Sequence, residues 1–330
     1  MHISLRPYFP LSKVPVPREW APLFFPYRPR SARAIELSME AVKIRPSALA
    51  GTWYPEDPNN LRMSVEAWLM KSRSESGGVE PKSAAHPGRL LGLILPHAGH
   101  KYSGLTCASG AAAVRSQKIR TLIMIGPSHR VFVAGAALSA ATHFETPLGA
   151  VTVDQKTVGA LAASGIPFSD AAHAKEHCLE ILLPFFQILL KDFQIVPILV
   201  GAPSCADSLR LAERIRNVSD GQTLLVASSD FVHYGAEFNY LPPVGSDVRA
   251  GVRKIDEGAI EQIRALDSEG LLAYRQTSGA TICGIVPIAV VLDALPKSMR
   301  VEQIHYSQSA EITGDTGHMV SYAALAMYDS

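Results

Sequence analysis

Residues 90–100 read Leu-Leu-Gly-Leu-Ile-Leu-Pro-His-Ala-Gly-His. The six residues before the proline are free of polar interruption, do not alternate as a half-exposed strand does, and are too few for an ordinary helix. Such a run, closed by proline and small residues, is expected as a strand buried on both faces. The pattern returns at residues 120–125, which end in Gly126-Pro127-Ser128-His129, and at 223–227, which end in Ser228-Ser229-Asp230-Phe231-Val232-His233. Helix-compatible stretches lie between and beyond these runs at 109–114, 176–191 and 207–218, and 193–200 reads as a further strand. Apolar runs separated by helices predict an α/β domain whose largely parallel or mixed central sheet is flanked by helices.

Working outward, 60–70 has helical spacing, 74–88 is a loop, and 249–265, 267–276 and 285–295 are helices, the last of them apolar. Residues 301–307 and 318–327 are expected as closing strands. There is no internal repeat and no second break in composition. Residues 39–330 therefore read as one domain, in preference to two domains divided near residue 200.

The first 38 residues differ. They carry six basic residues against Glu19 and Glu36, and seven of the chain's 23 prolines, from Pro7 to Pro29. They read as a weakly ordered, Pro/Arg-rich leader, with a targeting role as the alternative. No stretch within them is apolar enough for a secretory signal. The whole chain of 330 residues has 31 Lys+Arg against 30 Asp+Glu, a formal charge of +1, which argues against a general nucleic-acid binder. The most apolar run, 181–190, is about half the ~20 residues a membrane span needs. The four cysteines, Cys107, Cys178, Cys205 and Cys283, form no CxxC pair, so a reducing cytoplasm is the expected compartment.

In an open α/β sheet, ligands gather at the carboxyl ends of the strands. Here three strand exits deliver His97 with His100, His129, and His233. One histidine at a strand end is ordinarily a hydrogen-bonded loop residue. Three, with small neighbours that allow close approach, suit a cluster that ligates a metal or moves protons. Glu176-His177-Cys178-Leu179-Glu180 opens a predicted helix. On a helix His177 and Glu180 would share a face and point into one cavity, or the acids would simply complement the macrodipole. Asp230 has the same spacing to His233 and is expected to orient its ring. Cys283 precedes the apolar helix, where unpaired N–H groups lower a thiol pKa. Cys107, Cys178 and Cys205 read as core or surface residues.

Eight blocks in order resemble the Memo family, known in bacteria and archaea as AmmeMemoRadiSam system protein B. They are Ala50-Gly51-Thr52-Trp53-Tyr54, Pro96-His97-Ala98-Gly99, Gly126-Pro127-Ser128-His129, Thr146-Pro147-Leu148-Gly149, the Glu176 to Glu180 stretch, Ser228 to His233, Thr281-Ile282-Cys283-Gly284 and Ser321-Tyr322-Ala323-Ala324. The family is similar in fold to the catalytic subunit of class III extradiol dioxygenases, non-haem iron enzymes that open catechol rings. The resemblance implies that His97, His129 and Cys283 converge as a metal-binding set. It also implies that Asp230 and His233 line the same cavity, with His233 as the acid/base histidine. Two departures matter. A thiolate stands where the dioxygenases have a carboxylate, which shifts preference toward copper(I), zinc or iron in another electronic state. His100 stands where relatives often have tyrosine.

Three functions follow as expectations. The first is a redox enzyme in which iron(II) or copper, held by His97, His129 and Cys283, meets a small substrate, with His233 and Asp230 catalytic and His177, Glu180 and His100 against the substrate. The second is a binding module that reuses the cleft for a peptide or protein. The third is a metal-sequestering protein. The resemblance further implies a radical-SAM enzyme and an AMMECR-type protein as partners.

Overall fold

The apolar runs that end in histidines are neighbouring strands of one sheet. A computed structural model of the chain describes residues 42–75, 88–201 and 205–329. In chain order the elements begin β1 (Ile44–Arg45), α1 (Pro58–Glu75), β2 (Leu90–Leu95), α2 (His100–Ala111), β3 (Thr121–Pro127), β4 (Ala136–Leu138), β5 (His143–Thr146), β6 (Gly149–Thr152), α3 (Gln155–Ala163) and α4 (Asp170–Ala174). They continue with α5 (Leu183–Leu189), β7 (Gln194–Val200), α6 (Cys205–Val218), β8 (Thr223–Ser228), β9 (His233–Gly235), α7 (Val248–Arg264), α8 (Ser268–Ser278), α9 (Ile285–Ala294), β10 (Arg300–Gln308), α10 (Ala310–Thr313) and β11 (His318–Tyr328).

The main sheet has eight strands in the order β10-β11-β2-β8-β3-β7-β4, with β9 paired to the start of β11. β2, β8, β3 and β7 are mutually parallel, and β4, β9, β10 and β11 join antiparallel. The sheet is thus mixed, with a parallel centre. β2 and β8 are buried at every position, as runs covered on both faces must be. One helical layer consists of α2 against β2, β10 and β11, backed by α1 and α5. Another consists of α9 against β3 and β8, backed by α6 and α8. Asp154, Ser169, Asp247 and Asp267 cap α3, α4, α7 and α8 by accepting from backbone N–H groups of the first turn.

Residues 42 onward form one compact unit, and the division near residue 200 is not observed. The leader at 1–38 and most of the loop at 74–88 lie outside the described residues. Two expected helices have different limits. The helix at 109–114 is the end of α2, which starts nine residues earlier at His100 and finishes in a 3-10 turn. The helix at 176–191 starts late: 176–179 is irregular, Glu180–Leu182 is a 3-10 turn, and α5 follows, with Pro184 in its first turn. A small second sheet, β1-β5-β6, was not anticipated. No helix among the described residues is long and apolar enough to cross a membrane.

Candidate metal centre

The carboxyl ends of β2, β3 and β8 open on a cavity of about 580 Å³. Its polar lining includes His97, His129, His177, Asp230 and His233, and its aromatic lining comprises Trp53, Tyr102, Phe238 and Tyr322. Cys283 enters from the start of α9, whose N-cap is Gly284. A Cβ on Gly284 would lie 2.3 Å from the Ser228 carbonyl oxygen, so glycine is what lets this loop reach the end of β8. Gly126 serves the opposite wall, because a Cβ there would meet the Cys178 sulfur at 2.4 Å.

His97, His129 and Cys283 come together. Their ligating atoms all lie within 4.8 Å of one another, and Cys283 Sγ is 3.1 Å from His97 Nε2. Bonds of about 2.0–2.3 Å to nitrogen and sulfur separate neighbouring donors by roughly 3–4 Å, so the spacing of this set is close to what one ion would require.

The hydrogen bonds behind the rings decide which nitrogens are available. Ser228 has one hydroxyl proton and donates it to the Cys178 carbonyl at 2.6 Å. The 2.8 Å contact between His97 Nδ1 and Ser228 Oγ therefore has the ring as donor, which leaves the Nε2 lone pair facing the cavity. His129 Nδ1 donates to Glu176 Oε1 at 2.9 Å, and its backbone N–H donates to Oε2 of the same carboxylate at 2.7 Å. His233 Nδ1 donates to the Thr281 carbonyl at 2.9 Å. Three imidazoles thus each anchor one nitrogen on the protein and present the other, the arrangement that fixes tautomer and orientation in metal and acid/base sites.

The charges agree with this. Burial, reinforced by His177, His129 and His233, holds the His97 pKa well below its ordinary value, so the ring is neutral. Burial alone would raise the Glu176 carboxyl, but hydrogen bonds from His129 and His177 outweigh it and hold the group well below the usual carboxylate range. Burial pushes the Asp230 carboxyl up, against the pull of His233 and of the His97 N–H. Cys283 departs from expectation. Burial first, and Asp230 second, push its thiol up, and the Gly284 N–H at the helix start only partly offsets them. A thiolate at this position would need a cation beside it, which a metal could supply.

Three further expectations are corrected. Asp230 does not orient His233: its Oδ1 accepts from the N–H groups of His97 and Ala98 at 2.7 and 3.3 Å, while Thr281 holds the ring. Residues 229–232 are not helical, so the i, i+3 argument fails there. Glu180 does not line the cavity. It is fully buried and bound to Arg45, Ser47 and the N–H groups of Ala48 and Leu49. His100 sits behind the cavity as well, its Nε2 donating to the Ile181 carbonyl at 2.9 Å. His177 does reach the cavity, stacked on His129 at 4.5 Å and beside Trp53 at 4.6 Å between ring centroids. Its Nδ1 is buried and lies 3.0 Å from Glu176 Oε1.

Sequence reasoning assigned no role to Glu176, Ser228 or Thr281, which set the tautomers, and overlooked His318, which lines the mouth and stacks on Phe238 at 4.6 Å. Donor atoms of His129, Glu176 and Cys178 also group within 4.8 Å. There the carboxylate is already engaged by His129, and the Cys178 thiol donates to the Pro127 carbonyl at 3.2 Å.

The family model for Memo-like proteins matches residues 45–326. A MEMO1 family protein of Methanopyrus kandleri is 31% identical over 291 residues, covering 85% of this chain and 98% of its own length. The human protein MEMO1 is 30% identical over 301 residues, covering 87% of this chain and 98% of its own. Among solved structures, an uncharacterized protein of Escherichia coli K12 superposes with a TM-score of 0.50 at 16% identity, covering 73% of this chain and all of that one, which is a likeness of fold alone.

Proposed function

The chain belongs to the Memo family, and from that premise we propose that it is a metal-dependent redox enzyme acting on a small molecule at the His97, His129 and Cys283 set. The observation that carries this reading is the convergence of two tautomer-fixed imidazoles and a thiol, from loops almost two hundred residues apart, on one point. The mixed nitrogen and sulfur donors suit iron(II) or copper, with zinc as the redox-silent competitor. Such an ion, when bound, supplies electrons to an oxidant and Lewis acidity to a substrate.

The residues around the set have separable tasks. His233 presents Nε2 to the cavity while its Nδ1–H stays on Thr281, so it takes a proton from substrate at Nε2 and returns it there. Asp230 lines the same cavity and holds the His97 and Ala98 N–H groups at its edge. His177, which lines the cavity beside Trp53, orients substrate there. The aromatic wall of Trp53, Tyr102, Phe238 and Tyr322 excludes water and also favours a second reading, in which the cleft recognises a peptide or protein. The radical-SAM and AMMECR-type proteins that the sequence resemblance implies are candidates for that role.

Metal content separates the readings. Anaerobic purification, metal quantification and repetition with His97→Ala, His129→Ala and Cys283→Ser are expected to give about one iron or copper per wild-type chain and loss of it in each variant. Oxygen consumption with catechols then distinguishes an enzyme from a sequestering protein. Wild type that stays metal-free after reconstitution with iron(II), copper(I) and zinc ends the enzymatic and sequestering readings together and leaves recognition.

A further inference from the structure

Behind the cavity lies a buried cluster that the reading above does not use. Glu180 has no solvent exposure, yet its carboxylate accepts from the Ser47 hydroxyl at 2.8 Å, from the N–H groups of Ala48 and Leu49 at 3.0 and 3.1 Å, from the Tyr54 hydroxyl and from the Arg45 guanidinium. Every donor comes from residues 45–54, a strap with only a two-residue strand, β1, of its own. Arg45 continues the cluster in the other direction, donating to the backbone carbonyls of Glu176 at 2.5 Å and His173 at 3.0 Å.

The two ends of this cluster are the two sides of the cavity. The strap carries Trp53, whose ring lies against His177 and whose carbonyl accepts from the His100 N–H at 3.0 Å, where α2 starts beside His97. Glu176, whose carbonyl Arg45 holds, is the carboxylate that anchors His129 Nδ1. One buried ion pair therefore stands two hydrogen bonds, joined through Glu176, behind a metal-ligand candidate and one turn of chain behind the aromatic wall.

We propose that Glu180 is a positioning residue: through Arg45 it holds the backbone carbonyl of Glu176 and so places the carboxylate that fixes the His129 tautomer, and through the strap it holds Trp53 against His177. The proposal rests on the reading of His129 as a metal ligand. A carboxylate suits this place because only an ionised group accepts from so many donors at once and neutralises the guanidinium. Glutamine keeps the size but replaces one acceptor with a donor that faces Arg45.

The test compares Glu180→Gln with Ile260→Val, a core change on α7 remote from the strap. Two quantities are measured on each full-length protein: the zinc(II) dissociation constant at a temperature well below melting, and the protonation state of His129 Nδ1 by nitrogen-15 NMR of the metal-free chain. Glu180→Gln is expected to weaken zinc(II) binding by roughly tenfold or more, the range seen when outer-shell partners of ligands are lost. It is also expected to convert His129 from one tautomer to a mixture, while Ile260→Val changes neither. Wild-type zinc(II) affinity with His129 Nδ1 still fully protonated overturns the proposal. Should Glu180→Gln not fold, Tyr54→Phe with Ser47→Ala removes two donors and keeps the ion pair; a smaller shift of the same sign supports the proposal, and no shift overturns it. If wild type binds no metal, the function proposed above fails on its own, and the tautomer measurement still decides the role of Glu180.

Discussion

Glu176 and Glu180 lie four residues apart, are both buried and both hold hydrogen-bond donors, yet the regions they serve end differently. On the cavity side, Glu176, Ser228 and Thr281 each satisfy one nitrogen of an imidazole, and the other nitrogen is left for the site, that of His97 facing the Cys283 sulfur at 3.1 Å. On the strap side, the acceptors of Glu180 meet donors on every side and nothing remains for a ligand. Buried polar groups are ordinarily satisfied, so a site shows itself where satisfaction stops halfway. The difference teaches that burial and charge do not identify function here, and neither does one unpartnered nitrogen, which His100 has behind the cavity; the convergence of donor atoms from separate segments does.

The sharpest way to break the contrast is to unpair the strap side. Arg45→Met leaves the Glu180 charge buried without its partner, and the loss of one member of a buried pair costs about 3–5 kcal/mol. Urea unfolding is expected to show a destabilisation of that order, whereas Cys283→Ser, on the half-satisfied side, should change stability far less while abolishing metal binding. Equal destabilisation by the two would erase the distinction between the regions.

A smaller effect tests the cavity side. Ser228→Ala removes the acceptor that keeps the proton on His97 Nδ1, so the ring is free to carry it on Nε2, where it cannot ligate. Metal affinity is expected to fall about tenfold, equivalent to about 1.4 kcal/mol, and stability by about 1–3 kcal/mol because the Cys178 carbonyl and the His97 ring N–H lose a buried partner. An unchanged affinity would show that Ser228 does not set the tautomer.

How much of this was legible follows from the same contrast. The parallel centre of the sheet was readable because strands covered on both faces are apolar at every position, and their exits pointed to His97, His129 and His233. Cys283 joined the set only through the resemblance, and its place before an apolar helix suggested a lowered thiol pKa that burial reverses. Glu180 and His177 were paired by helical spacing, but the chain is irregular until Glu180, so one faces the strap and the other the cavity. The Asp230 and His233 pairing failed for the same reason, since β9 begins at His233 and the preceding residues are not helical. His100 looked like part of the cluster by adjacency, yet it opens α2 and faces Ile181. The partners that choose each tautomer were out of reach, because Ser228 meets His97 across 131 residues and Glu176 meets His129 across 47. Local periodicity carries no information on such pairings. The short strands β4, β5 and β6 escaped notice because three or four residues show no period.

The smallest predicted effect concerns a further buried carboxyl, Asp256 on α7, which accepts from the Val232 N–H at 3.0 Å and the Tyr306 hydroxyl at 2.7 Å and so braces the chain just before His233. Burial pushes its pKa from 3.8 up to about 6, against the hydrogen bonds from Val232, Tyr306 and Ser321, with Glu257 adding to the rise. The folded chain therefore binds this proton more tightly than the unfolded chain. Its contribution to stability is complete below the unfolded value, is lost as pH rises through about 6, and is flat above that. Relative to Asp256→Asn, wild type should gain roughly 1 kcal/mol between pH 7.5 and pH 5.5, read from urea midpoints of both proteins at each pH. A gap between the two that does not move with pH would show that Asp256 stays ionised in the fold, and would place it with Glu180 among the carboxylates whose charge the structure satisfies in full.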